Sequence, residues 1–194
     1  AAATAVSEVS TRTAPVTGLP SRAKADEHMA ALIRLSTAGG PEGPSFDAAM
    51  IDIRRFSEFN RRMGYELGDD LLRRVAGLIQ RTLLSEEDGA TPRAFVGHLG
   101  DDRFVVTGPA GQLRHRLETL AAEFTRSEAG AGFGESATDR RPTLRVMLLP
   151  GVFGRVRSVG EVHSLAEQAR REDRSDHDGL LVLEPGATEA RRSA

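Results

Sequence analysis

An α+β fold, with helices packed on a central and mainly antiparallel sheet, is predicted by three observations. Segments of helical apolar periodicity alternate with short β runs. Two of those runs are separated by a two-residue Gly-Asp turn signal, and the apolar content suffices for one buried core. The chain has 194 residues, 39% of them hydrophobic and 20 of them glycine, against ~100–200 residues per domain, which excludes two large domains.

Each element follows from its pattern. Ala25, His28, Met29, Leu32 and Ile33 share one helical face, which predicts a helix over 21–36 that stops before Gly39-Gly40-Pro41. The run from Phe46 to Ile53 reads as a buried strand. Phe56, Phe59 and Met63 open a helix that Gly64 interrupts, and Leu72, Val75, Ala76, Ile79 and Leu83 continue it. Ala94 to Leu99 and Asp102 to Thr107 form a hairpin around Gly100-Asp101. Leu113, Leu117, Leu120, Ala121 and Phe124 make the next helix, and the Gly-rich stretch 128–141 a flexible connection. Leu144, Val146 and Leu148 alternate as a strand, Val162, Leu165, Ala166 and Ala169 line a helix, and Gly179 to Leu183 closes with a strand. The predicted order is α-β-α-α-β-β-α-β-α-β, without internal repeats.

Composition narrows the chemistry. With 26 basic and 28 acidic residues the net charge is −2, so no global field draws the chain to nucleic acid or an anionic membrane. Zero cysteines exclude disulfides, thiolate metal sites and cysteine nucleophiles. Only Lys24 among the basic residues is a lysine. No run approaches the ~18 apolar residues of a membrane span, and residues 1–20 lack a signal-peptide pattern, so a cytoplasmic domain is expected. The small polar stretch 1–16 has no initiator methionine, which suggests an excised piece of a longer protein.

Asp52 at a strand end and Asp102 after the hairpin turn are candidates for a carboxylate pair that would suit Mg²⁺, although both also fit solvated turns. Asn60 and Asp69 flank the loop Met63-Gly64-Tyr65-Glu66-Leu67-Gly68. A carboxylate accepts two parallel N–H bonds from the edge of guanine, and an Asn amide both donates and accepts. Asp69 after Gly68 equally fits a helix N-cap.

Together these positions resemble a known family. The segment IDIRRFSEFNRRMGYELGDDLL is similar to the first motif block of GGDEF domains, the diguanylate cyclases that join two GTP into cyclic di-GMP. That block reads D-x-D-x-F-K-x-I-N-D-x-x-G-H-x-x-G-D, and Asp52, Phe56, Asn60, Gly64, Gly68 and Asp69 match without a gap. Leu99-Gly100-Asp101-Asp102-Arg103-Phe104 resembles the signature hairpin, and Thr17-Gly18-Leu19-Pro20-Ser21-Arg22 the T-G-L-x-N-R block. The resemblance implies a bacterial signalling domain with a nucleotidyl-cyclase-like, ferredoxin-type fold over 14–184. Residues 1–13 would be a linker or the end of an upstream signalling helix, and 185–194 a disordered tail. It further implies Asp52 and Asp102 as metal ligands, Asp102 as the residual catalytic position, and Asn60, Asp69, Gly100, Asp101 and Arg174 as nucleotide contacts.

The departures bear on function. The second acid of the strand block is Arg54, the second signature glycine is Asp101, the signature glutamate is Arg103 and the phosphate-contacting lysine is Ser57. Positions 52, 54, 102 and 103 carry a formal charge of zero where four acids would carry −4. Unit charges 4 Å apart interact by ~4 kcal/mol at an effective dielectric of 20, so guanidiniums beside a divalent cation are a large penalty. Arg54 lies on the same strand face as Asp52 and is expected to pair with it. In the last helix the family pattern A-D-x-A-L-Y-x-A-K persists as Ala166, Glu167 and Ala169, with Arg174 at the lysine position. The R-x-x-D product site falls on Thr91, Pro92, Arg93 and Ala94, so product inhibition is not expected. His98 reads as structural, and Asp176-His177-Asp178 as a solvated turn.

The expected function is thus a degenerate regulatory module of cyclic di-GMP signalling. It would retain GTP or cyclic di-GMP binding or contacts with other signalling domains, as a homodimer where dimerisation occurs. The alternatives are a Mg²⁺-dependent cyclase in which Arg54, Arg55 or Arg174 holds phosphates, and a ligand-free dimerisation adaptor. Without catalysis no cofactor is needed.

Overall fold

The computed structural model describes residues 12–84, 94–127, 141–173 and 179–183. Among the described residues five helices and five strands follow the predicted order: α1 (Arg22–Ala38), β1 (Phe46–Arg54), α2 (Phe56–Met63), α3 (Tyr65–Leu84), β2 (Phe95–Gly100), β3 (Arg103–Pro109), α4 (Arg114–Arg126), β4 (Thr143–Leu149), α5 (Val159–Glu172) and β5 (Gly179–Val182). Short 3₁₀ turns at Gly40–Glu42 and Val152–Gly154 were not legible in the apolar pattern. The sheet order is β2-β3-β1-β4-β5, antiparallel except for the parallel β4–β5 pair.

β1 is the central strand, and its period-2 alternation divides the core. Ala49, Ile51 and Ile53 pack with Leu71, Val75, Leu117 and Phe124 of α3 and α4 on one face. Ala48 and Met50 pack with Ala25 and Met29 of α1 and Val162 and Ala166 of α5 on the other. By the same alternation Asp52 and Arg54 belong to the α1/α5 face, at the strand end where apolar burial gives out. Fully burying a side chain such as Phe104, Phe124 or Leu117 contributes ~1.5–3 kcal/mol.

Two local expectations change, and the break at Gly64 is found where it was expected. The hairpin turn is Asp101-Asp102 rather than Gly100-Asp101, because the ladder is irregular between His98 and Gly100 and Gly100 then pairs with Arg103. Gly100 and Asp101 both have positive φ, 105° and 51°, a region a carboxylate side chain tolerates better than most. The N-cap reading of Asp69 fails because α3 already begins at Tyr65. Gly64, at φ 93°, ends α2, with its N–H donating to the Asn60 carbonyl at 2.9 Å.

Candidate functional site

The register sets Asp52 directly between two arginines, Arg103 on β3 and Arg145 on β4. Asp102 sits in the hairpin turn, and its carbonyl accepts the Ile53 N–H at 3.2 Å, which ties the turn to the end of β1. The two carboxylates line one cleft of about 440 Å³ together with Arg54, Arg55, Ser57, Arg145, Arg170 and Asp173. Burial pushes both carboxyl pKa values up, against the opposing guanidinium of Arg145 at Asp52 and, at Asp102, a backbone hydrogen bond and Arg103. Asp102 also raises the Asp52 value, as expected of like charges in one site.

The close ion pair of Arg54 is not with the expected Asp52 but with Asp173, the residue that ends α5. Arg145 takes the place expected of Arg54, with Nη1 3.6 Å from Asp52 Oδ2 and Nε 3.0 Å from Asp173 Oδ2. The four side chains are only 8–13% exposed, so they form a buried chain of alternating charge. The cause is tertiary: the helix end delivers a carboxylate between two strands, nearer to Arg54 than its own strand neighbour is. Arg103 lies apart from this chain, 42% exposed and 3.9 Å from the Asp101 carboxylate. Arg170 holds Glu167 through two hydrogen bonds of 3.0 and 2.8 Å.

Arg145, Arg170 and Asp173 were missed from sequence. The available signal was Arg145 itself, a charge inside the otherwise apolar strand Thr143–Leu149. No sequence signal marks Asp173, whose role depends on where α5 ends.

The donor set does not fit the divalent cation of the cyclase family. Asp52 Oδ2 is buried and accepts no hydrogen bond, as a metal ligand would, but a guanidinium faces that same oxygen. Among the described residues no three His, Cys, Asp or Glu side chains converge on a metal position.

At the junction of α2 and α3 the geometry differs. Asn60 Oδ1 is buried without a hydrogen-bond partner. Its amide lies across Gly68, where a Cβ would overlap Oδ1, so the glycine makes room for it. Asp69 follows on α3, half-buried. The structure therefore sets Asn60 against the turn of α3 that carries Asp69.

His98 has the structural role expected of it. In the neutral ring Nε2–H donates to the Asp101 carbonyl at 3.0 Å, and Nδ1 accepts from the Thr17 hydroxyl at 3.1 Å. The ring stacks on Phe104 at 4.7 Å, so the Thr17–Arg22 block and the hairpin are joined through one side chain. Arg174, Asp176-His177-Asp178, Thr91, Pro92, Arg93 and the stretch 128–140 lie outside the described residues, as do 1–11 and 184–194. Among the described residues no helix is long and apolar enough to cross a membrane.

Comparison with known proteins agrees with this architecture. Diguanylate cyclase DgcP of Pseudomonas aeruginosa is 31% identical over 113 residues, 57% of this chain, and the chain spans 15% of that relative's length. The GGDEF domain of DgcB from Caulobacter crescentus, solved in complex with c-di-GMP, superposes with a TM-score of 0.69 at 21% identity, over 90% of this chain and 94% of that one. Diguanylate cyclase SiaD of P. aeruginosa, solved with its activator SiaC, gives 0.65 at 22% identity, over 94% of this chain and 65% of that one. Residues 12–129, more than half of the sequence, match the family described as diguanylate cyclase, GGDEF domain. By that match, and with the five-stranded sheet and motif blocks in register with it, the chain belongs to the GGDEF domain family.

Proposed function

We propose that this GGDEF domain is a regulatory module of cyclic di-GMP signalling that binds guanine nucleotide without cyclising it. The observation that carries the reading is the buried chain Arg54–Asp173–Arg145–Asp52. Internal guanidiniums and carboxylates neutralise one another where a cyclase would hold a cation and a triphosphate. Removing two buried charges from water is costly, and only close mutual pairing offsets that cost, so a divalent cation would have to break existing pairs to enter.

Guanine selectivity is assigned to Asn60 and Asp69. A carboxylate matches the paired N–H donors of guanine, and adenine offers no such pair. The unpartnered Asn60 Oδ1 is a polar atom whose desolvation a bound base would compensate. Arg55 and Ser57 line the adjoining cleft where phosphates would extend. The relatives solved with c-di-GMP and with a protein activator support nucleotide and protein as the two classes of partner.

Titration with GTP, GDP, ADP and cyclic di-GMP, alongside incubation with GTP and Mg²⁺ or Mn²⁺, tests the reading. GTP or GDP binding in preference to ADP, with no cyclic di-GMP formed, is expected. Product formation abolished by Asp102→Ala would establish the cyclase instead, and absence of any binding would leave a ligand-free adaptor. Gly68→Ala should weaken guanine nucleotide binding by about tenfold or more by displacing Asn60, while thermal stability holds, since Ala gains ~1 kcal/mol over Gly in a helix.

A further inference from the structure

We propose that Arg54 and Arg145 form a seat for a metal-free phosphate group, and that Asp173 is the seat's resident competitor. The inference rests on the reading that nucleotide phosphates enter this cleft, and it names what they displace. One carboxylate oxygen, Asp173 Oδ2, is shared by both guanidiniums, Nε of Arg145 lying 3.0 Å away and Nη2 of Arg54 pairing with the same atom. Two guanidiniums converging on a single oxyanion are the arrangement that recognises phosphate, whose oxygens accept the same N–H forks as a carboxylate with more charge behind them. Arginine is charged at every accessible pH, so such a seat needs no cation to assemble.

Electrostatics of the cleft favour the exchange. Arg54, Arg55, Arg145 and Arg170 line it against Asp52, Asp102 and Asp173, four positive charges to three negative. Glu167 already answers Arg170, so with Asp173 swung out one positive charge is left unmet, and a phosphate oxyanion restores the pairing that Asp173 gave. Asp173 is placed to leave. It caps α5 with extended backbone, ψ 111°, one residue past the last helical turn, and its N–H donates to the Ala169 carbonyl at 2.9 Å, so a swing of its side chain need not unwind the helix interior. A cation would oppose binding here by neutralising the phosphate before the arginines reach it.

Pyrophosphate is the probe, because it carries no base and its result is independent of guanine recognition. Isothermal titration in EDTA should show Asp173→Asn binding pyrophosphate about tenfold more tightly than the parent, Arg145→Gln losing it, and excess Mg²⁺ weakening it. Equal or weaker binding by a folded Asp173→Asn overturns the proposal, whatever GDP and ADP do. A preference for GDP over ADP that is lost, with the pyrophosphate pattern intact, would overturn only the guanine reading. Should Asp173→Asn not fold, amide exchange on the parent decides the matter. Saturating pyrophosphate should accelerate exchange at the Asp173 N–H, and unchanged or slower exchange there refutes the competitor role.

Discussion

Two buried aspartates stand five positions apart on the same central strand, Asp47 and Asp52, and they meet opposite circumstances. Asp47 uses both carboxylate oxygens: Oδ1 accepts the Gly151 N–H and Oδ2 the Gly111 N–H, each at 2.8 Å. Those bonds pin two loops to the end of β1. Asp52 is as deeply enclosed, yet its Oδ2 accepts no hydrogen bond and faces a guanidinium at 3.6 Å. A carboxylate whose lone pairs are consumed by backbone donors serves the fold; one left with an unanswered oxygen beside a cleft is the candidate for a site. Both occur in the same short apolar run, FDAAMIDI.

The comparison breaks most readily at Asp47. Asp47→Ala strands two backbone donors and removes two charge-assisted bonds, so it should cost about 3–5 kcal/mol in urea unfolding, while Asp52→Ala should change stability by much less. Equal losses at the two positions would erase the distinction. Next in size is Arg145→Ala, which leaves the Asp52 and Asp173 carboxylates facing each other without their shared cation. A loss of about 3 kcal/mol is expected, relieved in the double variant with Asp173→Ala, as a double-mutant cycle would register.

A smaller effect sharpens the question of metal. Millimolar Mg²⁺ should leave the melting temperature of the parent unchanged. Reverting Arg54→Asp and Arg103→Glu should allow a modest rise, and adding Arg145→Ser a larger one, because Arg145 rather than Arg103 confronts Asp52 Oδ2. A ligand held only by the folded state at ten times its Kd contributes about 1.4 kcal/mol, which sets the scale of the shift. Stabilisation of the parent by Mg²⁺ that Asp52→Ala removes would reverse the electrostatic reading.

The smallest expected effect is in pH. Burial raises the Asp52 carboxyl above its ordinary value of 3.8, so the folded chain holds that proton more tightly than the unfolded chain does. The associated stability is fully present below the unfolded value and is lost as pH rises through the folded one. Relative to Asp52→Asn, the parent should therefore be at its best in acid, and the variant should gain on it as pH rises above 3.8. Melting curves across that range that run parallel would show that the carboxyl is not perturbed.

Periodicity and turn chemistry were sufficient for the element order, the mixed sheet and the break at Gly64, since local backbone preference and the burial of one face per element are written in nearest neighbours along the chain. Motif spacing likewise nominates Asp52, Asn60, Asp69 and Asp102 as candidates. Pairing across the sheet and the reach of a helix end are decided in three dimensions. No spacing rule says that Arg145 will stand opposite Asp52, that α5 will end with Asp173 against both arginines, or that Arg54 will pair with Asp173. Each partner is chosen by distance and dielectric once the core has closed, and residues separated by 119 positions, as Arg54 and Asp173 are, become adjacent only then. The same closure sorts Asp47 from Asp52: the sequence places two identical carboxylates on one strand, and only the folded loops determine which of them has its oxygens filled.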